Sequence, residues 1–337
     1  MHLGRSNSRR FRRVGTSIVS KRRTPLLSPD QPPRATPATD VTVHRGSAVP
    51  TAPAISVVVM AIHGDARVVD AVGSLQSDTV MVEIIVVNTG ARSLRSLLET
   101  TLDRIVLVES PALRLPGGTR NLGVLEARGS VVAFLAADCL AGPGWIDRRL
   151  AAHRIAPAVA SAILPTPDRD DHVPLTSLAS HMLVYARRDA EYPGPRTVRY
   201  GVSYHREVLT RHGPFLEDRM DGEDTEFNHR LPEPPVWDSA VVTLHRNPST
   251  LAAALADARH RGVRLINWTS ANTRYPTLRA LRRIAGTFYY ALTMLVYLKG
   301  SRRGALLAAT PLVCLLALTQ VVGALSRRDV ARRPMRG

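Results

Sequence analysis

Ile55-Ser-Val-Val-Val-Met60 holds four β-branched residues and one polar one. The run does not alternate between apolar and polar, so both of its faces need cover, which predicts a buried parallel strand. Working outward, Ala66–Leu75 reads as a helix and Val82-Glu-Ile-Ile-Val-Val87 as a second buried strand. Ile105–Val108 reads as a short third strand, Thr119–Arg128 as a helix opened by Gly117-Gly118, and Ser130-Val-Val-Ala-Phe-Leu135 as a fourth strand running on to Asp138. Strands alternating with helices predict an α/β fold with a mainly parallel central sheet. Open sheets of this kind bind ligands beyond the carboxyl ends of their strands. His63-Gly64-Asp65, Asn88-Thr89-Gly90 and Asp138 follow three such ends and are expected to line one crevice.

The flanks differ from this middle. Residues 1–49 hold 10 basic and 2 acidic side chains, residues 50–273 hold 23 and 25, and residues 274–337 hold 12 and 1. The excess charge of +17 therefore sits at the two ends. A nucleic-acid-binding domain carries its basic stripe within the fold, so that class is set aside and no nucleic-acid partner is expected. Residues 1–50 are rich in Arg, Ser, Thr and Pro and are expected to be disordered, with order beginning near Pro53. They have no apolar core of a secretory signal. Cys139 and Cys314 form no C-x-x-C pair, which removes zinc-ribbon and thiol-redox readings.

Toward the C-terminus, Val198–Ser203 and Val241–His245 read as strands and Pro248–Arg264 as a helix. Ile284–Leu298 is apolar but short, whereas Gly304–Leu325 has 22 uncharged residues, enough to cross a bilayer. Basic groups flank both runs. The division expected is a basic segment at 1–50, a catalytic domain at 51–270 and membrane-associated helices at 271–330, attached to the cell membrane with the domain on the cytoplasmic side.

Ile55–Met60, Glu83–Gly90, Gly117–Gly123, Phe134–Trp145 and Gly222–Leu231 resemble, in order and spacing, the family 2 glycosyltransferases. The resemblance spans roughly residues 54–265 and implies the GT-A fold, a nucleotide-sugar donor, and a glycan or lipid-linked acceptor. It implies inverting transfer to an acceptor hydroxyl, assisted by Mg²⁺ or Mn²⁺, in synthesis of cell-envelope glycan or glycolipid.

Residue by residue, the resemblance places Ala61, His63, Asn88, Arg120, Asn121, Ala137 and Asp138 at the donor. Asn88 stands where the family has an acidic base-reader, and its amide suits a base edge, although Asn-Thr-Gly also suits a turn. Arg120, behind a Gly pair and at a helix start, suits a phosphate, and equally suits a surface Arg. Asp138 matches the metal-binding Asp of the family's Asp-x-Asp motif, while Ala136 replaces the first Asp. Carboxylate oxygens suit the hard cation that steadies a departing diphosphate. His245 resembles a third metal ligand, or is a strand-end surface His. Asp224 matches the general base and Glu223 its neighbour, or both carboxylates cap a helix. Trp145 and Trp237 suit either a sugar face or the core.

A dinucleotide dehydrogenase would need G-x-G-x-x-G after the first strand, and His63-Gly64-Asp65 does not supply it. The competing class is a glycosyltransferase-like protein that binds nucleotide or glycan without turnover. Asn88, Ala136 and Ala61, which replaces a Pro, favour that alternative.

Overall fold

The computed structural model describes residues 40–75, 77, 79–167, 172–193, 201–218, 222–270 and 275–326, with the backbone alone at 267–270. One mixed sheet of nine strands organises them. Its centre is the parallel block β2 (Ile55–Ile62), β3 (Val82–Thr89), β4 (Ile105–Ser110) and β5 (Val131–Ala136), in spatial order β4-β3-β2-β5. This block is where the non-alternating apolar runs lie, because helices cover it on both sides. β1 (Thr42–Arg45) adds antiparallel to β4. On the other flank β8 (Val202–His205), β7 (Ala158–Pro165), β9 (Val236–His245) and β6 (Cys139–Ala141) follow in that order. There β5–β8, β7–β8 and β6–β9 are antiparallel and β7–β9 is parallel. The sheet is thus parallel at its centre and largely antiparallel at its flanks.

β1 corrects the expectation of disorder up to residue 50. Arg45 reaches Glu83, buried in β3, at 2.7 Å and the Glu126 carbonyl at 3.1 Å. Glu83 also accepts the Ser56 hydroxyl and, at 2.8 Å, the Arg128 N–H. A buried carboxylate needs such partners, and Arg45 draws the strand onto the sheet. Residues 1–39 lie outside the described residues.

Residues of alternating parity on the central strands feed two cores. Val57, Val59, Ala133 and Leu135 pack with α1 (Val68–Gly73) and α3 (Trp145–Ala152). Val58, Ile85, Val132 and Phe134 pack with α2 (Pro116–Glu126), α5 (Arg206–His212) and α6 (Glu223–Arg230). α2 begins earlier than expected because Pro116 suits the first helical turn. A third core joins α4 (Leu175–Tyr185), α7 (Leu251–Ser270), α8 (Pro276–Tyr297) and α9 (Gly300–Leu325). The two apolar runs near the C-terminus are therefore α8 and α9, both longer than expected. Of the expected strand Val198–Ser203, residues 198–200 lie outside the described residues, and the observed strand starts at Val202.

Candidate functional site

β5 ends at Ala136, but the Ala137 N–H still reaches the Met60 carbonyl of β2 at 2.9 Å. The chain then turns through Asp138 into β6, whose antiparallel register sets Cys139 opposite His245. The Arg246 N–H closes the turn on the Asp138 carbonyl at 2.9 Å. One carboxylate, one thiol and one imidazole thereby meet, their ligand atoms all within 4.8 Å of one another. His245 Nε2 stands 3.7 Å from Asp138 Oδ2, and the Cys139 thiol points to Asp138 Oδ1 at 3.6 Å. Burial, then the Asp138 charge, holds the Cys139 thiol well above its usual pKa, so it stays protonated.

The tautomer of His245 follows from a chain of bonds that starts in α4. His181 Nε2 faces the Ile163 carbonyl at 3.2 Å, and a carbonyl only accepts, so Nε2 carries the proton. His181 Nδ1 is then bare and takes an N–H from Asn247 at 3.3 Å. With its nitrogen donating there and to the His245 carbonyl at 3.0 Å, Asn247 offers its oxygen to His245 Nδ1–H, also at 3.0 Å. His245 Nε2 is left with a lone pair aimed at a carboxylate. Burial pushes the imidazole pKa down, opposed by Asp138, and favours this neutral form. Two acceptors facing each other at 3.7 Å repel unless a cation or proton lies between them. The donor set therefore fits a divalent metal, with Asp138 and His245 as its holders.

Two arginines border this group. Arg67 pairs with Asp65 at 2.6 Å, and its guanidinium is held above the usual range by Asp65 first and by Asp138 as a further contributor. Arg246 pairs with Asp70 at 2.7 Å. Both stand near Asp138 and are partly exposed, and neither was singled out from the sequence.

The remaining residues assigned from sequence fall into two places. At the end of β2, His63 is exposed and adopts φ 54°, a left-handed conformation that costs a non-glycine residue about 1 kcal/mol or more. Its ring lies over Gly90, where a Cβ would stand 2.4 Å from His63 Nδ1, so only glycine fits there. Ala61 is buried in β2. Asn88 is buried and engaged within the protein: its oxygen accepts the Gly64 N–H at 3.1 Å, and its nitrogen donates to Arg92 O at 2.6 Å and Glu109 Oε1 at 3.2 Å. These bonds tie the loops after β2 and β3 together.

Arg120 and Asn121 are also engaged within the protein. Arg120 is 3% exposed, bonds to the buried Glu223, and lies between the Phe134 and Phe215 rings at 5.7 and 5.5 Å. It is paired inside the protein and lines a small recess together with Asp224. Asn121 exchanges both amide bonds with the Phe215 backbone at 2.9 Å and also donates to Glu217 at 2.8 Å. The close approach permitted by Gly117 is to the chain's own Leu216 carbonyl. The sequence shows the glycines and the Arg, but not a loop about 100 residues later that covers them.

α6 opens with Gly222 at φ 88° and puts Glu223 and Asp224 in its first turn. Arg120 thereby anchors Glu223, whose carboxyl is raised by burial against the pull of that guanidinium. Asp224 accepts the Thr225 N–H at 2.6 Å and lines a small recess with Arg120, Phe134, Gly201, Tyr204 and Phe215. Tyr204, its phenol raised by burial and so un-ionised, donates to Asn228 at 2.7 Å. Residues 219–221 of the preceding loop lie outside the described residues. Trp145 and Trp237 belong to the packing: Trp145 is 2% exposed and donates to Thr243 at 3.0 Å, and Trp237 packs against the second core.

A family model described as Glycosyl transferase family 2 matches residues 56–213, the stretch that builds the parallel block, the Asp138 turn and α2 through α5. The chain carries a family 2 glycosyltransferase domain. The glycosyltransferase has the GT-A fold and resembles several solved structures. One is the mannosyltransferase PcManGT from Pyrobaculum calidifontis in complex with GDP-Man and Mn²⁺, 18% identical, covering 83% of this chain and 90% of that one with a TM-score of 0.48. Another is residues 1–349 of TarS from S. aureus in complex with UDP-GlcNAc, 12% identical, covering 80% and 89% with a TM-score of 0.40. A mycobacterial protein is 19% identical, covering 64% and 74% with a TM-score of 0.41. No curated protein matches the sequence.

Proposed function

We propose that this glycosyltransferase moves a sugar from a nucleotide donor to an acceptor hydroxyl with inversion, holding the donor diphosphate at Asp138 and His245. The observation that carries the reading is the pair of facing acceptors at 3.7 Å, with the imidazole lone pair fixed by Asn247 and His181. A Mg²⁺ or Mn²⁺ ion there would neutralise charge on the departing diphosphate. Arg67 and Arg246, partly exposed beside Asp138, take the phosphate-binding part first given to Arg120. His63 and Gly90 form the rim on which the nucleoside lies, and Asn88 holds that rim in shape.

Asp224 takes the acceptor proton as the hydroxyl attacks the anomeric carbon. Its placement in the first turn of α6, beside the Arg120–Glu223 pair, supports this. Glu223 acts as a positioning residue. Asp224→Asn keeps donor binding and lowers turnover by about 10²-fold or more. NMR of the product's anomeric configuration tests the stereochemistry: retention of the donor configuration, or full activity in Asp224→Asn, overturns the assignment. Sugar transfer absent with every donor, alongside intact nucleotide binding, favours the binding-only relative.

The acceptor is a glycan or lipid-linked hydroxyl at the cytoplasmic face of the membrane. α9 supports this with mean hydropathy 2.1 in its most apolar window. α4 supports it too. His181 and Tyr185 face His245, while Leu178 and Met182 join the core shared with α8 and α9. The site and the apolar helices thus share a single intervening helix, a layer about 10 Å thick.

A further inference from the structure

Membrane attachment, on which this inference rests, leaves open how the helices meet the bilayer. By length and composition α9 is able to cross one. Its packing points elsewhere. At its start Arg302 binds Asp189 at 2.6 Å and also Glu191, both in the catalytic domain. Along its middle it shares a core with α4 and α7. Near its end Gly323 and Gly262 bring α9 and α7 into backbone contact, where a Cβ on either would meet carbonyl oxygens of Arg259 or Gln320 at 2.3 and 2.1 Å. The helix is therefore docked on the domain along its whole length. α7 presents Arg259, His260 and Arg264 to solvent. A bilayer-spanning α9 would draw that charged face into hydrocarbon, at a cost of roughly 3 kcal/mol for each Arg.

The outer face of α9 is nonetheless apolar. Leu307, Pro311, Leu315, Leu318, Val322 and Leu325 recur at three- and four-residue steps and are all exposed. They form one stripe about 27 Å long at about 1.5 Å per residue. A helix facing water would carry polar groups there. α8 lies antiparallel beside it, its start packing on the end of α9 through Ala280, Ile284 and Ala324. α8 adds Leu278, Tyr289 and Val296 to the exposed apolar surface. Cations stand at both ends of the pair: exposed Lys299 and Arg303 at the connection, Arg279 and Arg282 at the other. An apolar stripe with interfacial tyrosines and cations at each end matches one leaflet of anionic lipid.

We infer that α8 and α9 lie in the plane of one leaflet, outer stripe in the acyl boundary and inner stripe on the catalytic domain, so that the chain sits on the membrane without crossing it. Both ends of α9 then share the cytoplasmic side. The test uses the full chain. In a Cys314→Ser background, Ser301→Cys and Ser326→Cys are challenged with a membrane-impermeant maleimide in intact cells and in inverted membrane vesicles. Both sites should be silent in cells and reactive in inverted vesicles. Reaction of Ser326→Cys in intact cells means that α9 crosses and overturns the inference while leaving membrane attachment standing. In flotation with vesicles of phosphatidylcholine containing phosphatidylglycerol, Leu318→Asp should lower the bound fraction at least about tenfold with an unchanged melting temperature. A parent chain that does not float overturns membrane attachment itself. A lipid-free dimer broken by Leu318→Asp, with no flotation of the parent, assigns the stripe to a second copy of the chain instead.

Discussion

Replacing Arg120 with Met separates a buried structural cation from a phosphate-binding one. The variant keeps an apolar stem of similar length but strands Glu223, which is 2% exposed, without its cation. Removing one member of a buried ion pair costs about 3–5 kcal/mol. The guanidinium also lies 5.7 and 5.5 Å from the centroids of Phe134 and Phe215, worth about 1 kcal/mol, part of which the Met thioether restores. Each kcal/mol moves the midpoint of a domain this size by about 2–4 °C, so a fall of roughly 6–20 °C is expected. The sign with pH follows from Glu223. Burial already raises its carboxyl above the ordinary 4.5, and Arg120 opposes that rise. Without Arg120 the carboxyl rises further. A carboxyl raised on folding contributes stability that is present below its unfolded pKa and lost as pH rises through the folded one. The deficit should therefore be largest at neutral pH and shrink in mild acid. Arg120→Met with Glu223→Leu should recover most of the loss, since a well-packed apolar pair can match a buried ionic one. Thermal unfolding followed by near-ultraviolet circular dichroism across neutral and mildly acid pH measures all of this. A single variant as stable as the parent at neutral pH, yet unable to bind nucleoside diphosphate, would refute the reasoning and return Arg120 to the phosphate.

Asn247→Ala releases the tautomer lock on His245 and should weaken Mn²⁺ binding about 10- to 100-fold, measured by electron paramagnetic resonance, with little change in melting temperature. Unchanged affinity removes Asn247 from the account. His153 is buried neutral, its Nδ1 at 3.0 Å from Ala156 O and its Nε2 at 2.7 Å from Ser203 Oγ, with its pKa pushed down to about 3, chiefly by burial. Its contribution is present above its unfolded value of 6.5 and is lost as pH falls from there toward 3. Stability should thus drop by up to about 1.4 kcal/mol per pH unit in this window, with a shallower slope in His153→Asn, as urea unfolding at several pH values would show. Asn121→Ala should cost about 1–3 kcal/mol by leaving the Phe215 N–H and carbonyl unpaired, and should leave nucleotide affinity unchanged. A selective loss of nucleotide affinity would restore Asn121 to the donor site.

The central sheet was legible because β2, β3 and β5 are buried on both faces and write that fact as unbroken apolar runs. β1 was not, since Thr42-Val-His-Arg45 has little pattern of its own and depends on Glu83, 38 residues later. α4 escaped for the opposite reason. Leu175, Leu178, Ala179, Met182 and Leu183 do recur at helical steps, but Ser177, Ser180 and His181 between them are buried as well, so its polar side suggests a solvent face that the helix does not have. With it went His181 and Tyr185, and so the support of His245. Asp138 and His245 were readable because each follows a β-branched strand, where side chains emerge at a sheet end. The internal partners of Arg120 and Asn121 were not legible, because a Gly-rich helix start looks alike whether it meets a phosphate or the chain's own Leu216 carbonyl.

The most direct test of the donor site is Mn²⁺-dependent binding of GDP and UDP, measured by titration calorimetry on the full-length chain and on Asp138→Ala. At least one of the two nucleotides should bind the parent more tightly with Mn²⁺ than without it. In Asp138→Ala that metal-dependent gain should disappear while the melting temperature holds. If Mn²⁺ strengthens nucleotide binding equally in parent and variant, or in neither, the diphosphate is not held by metal at Asp138 and His245.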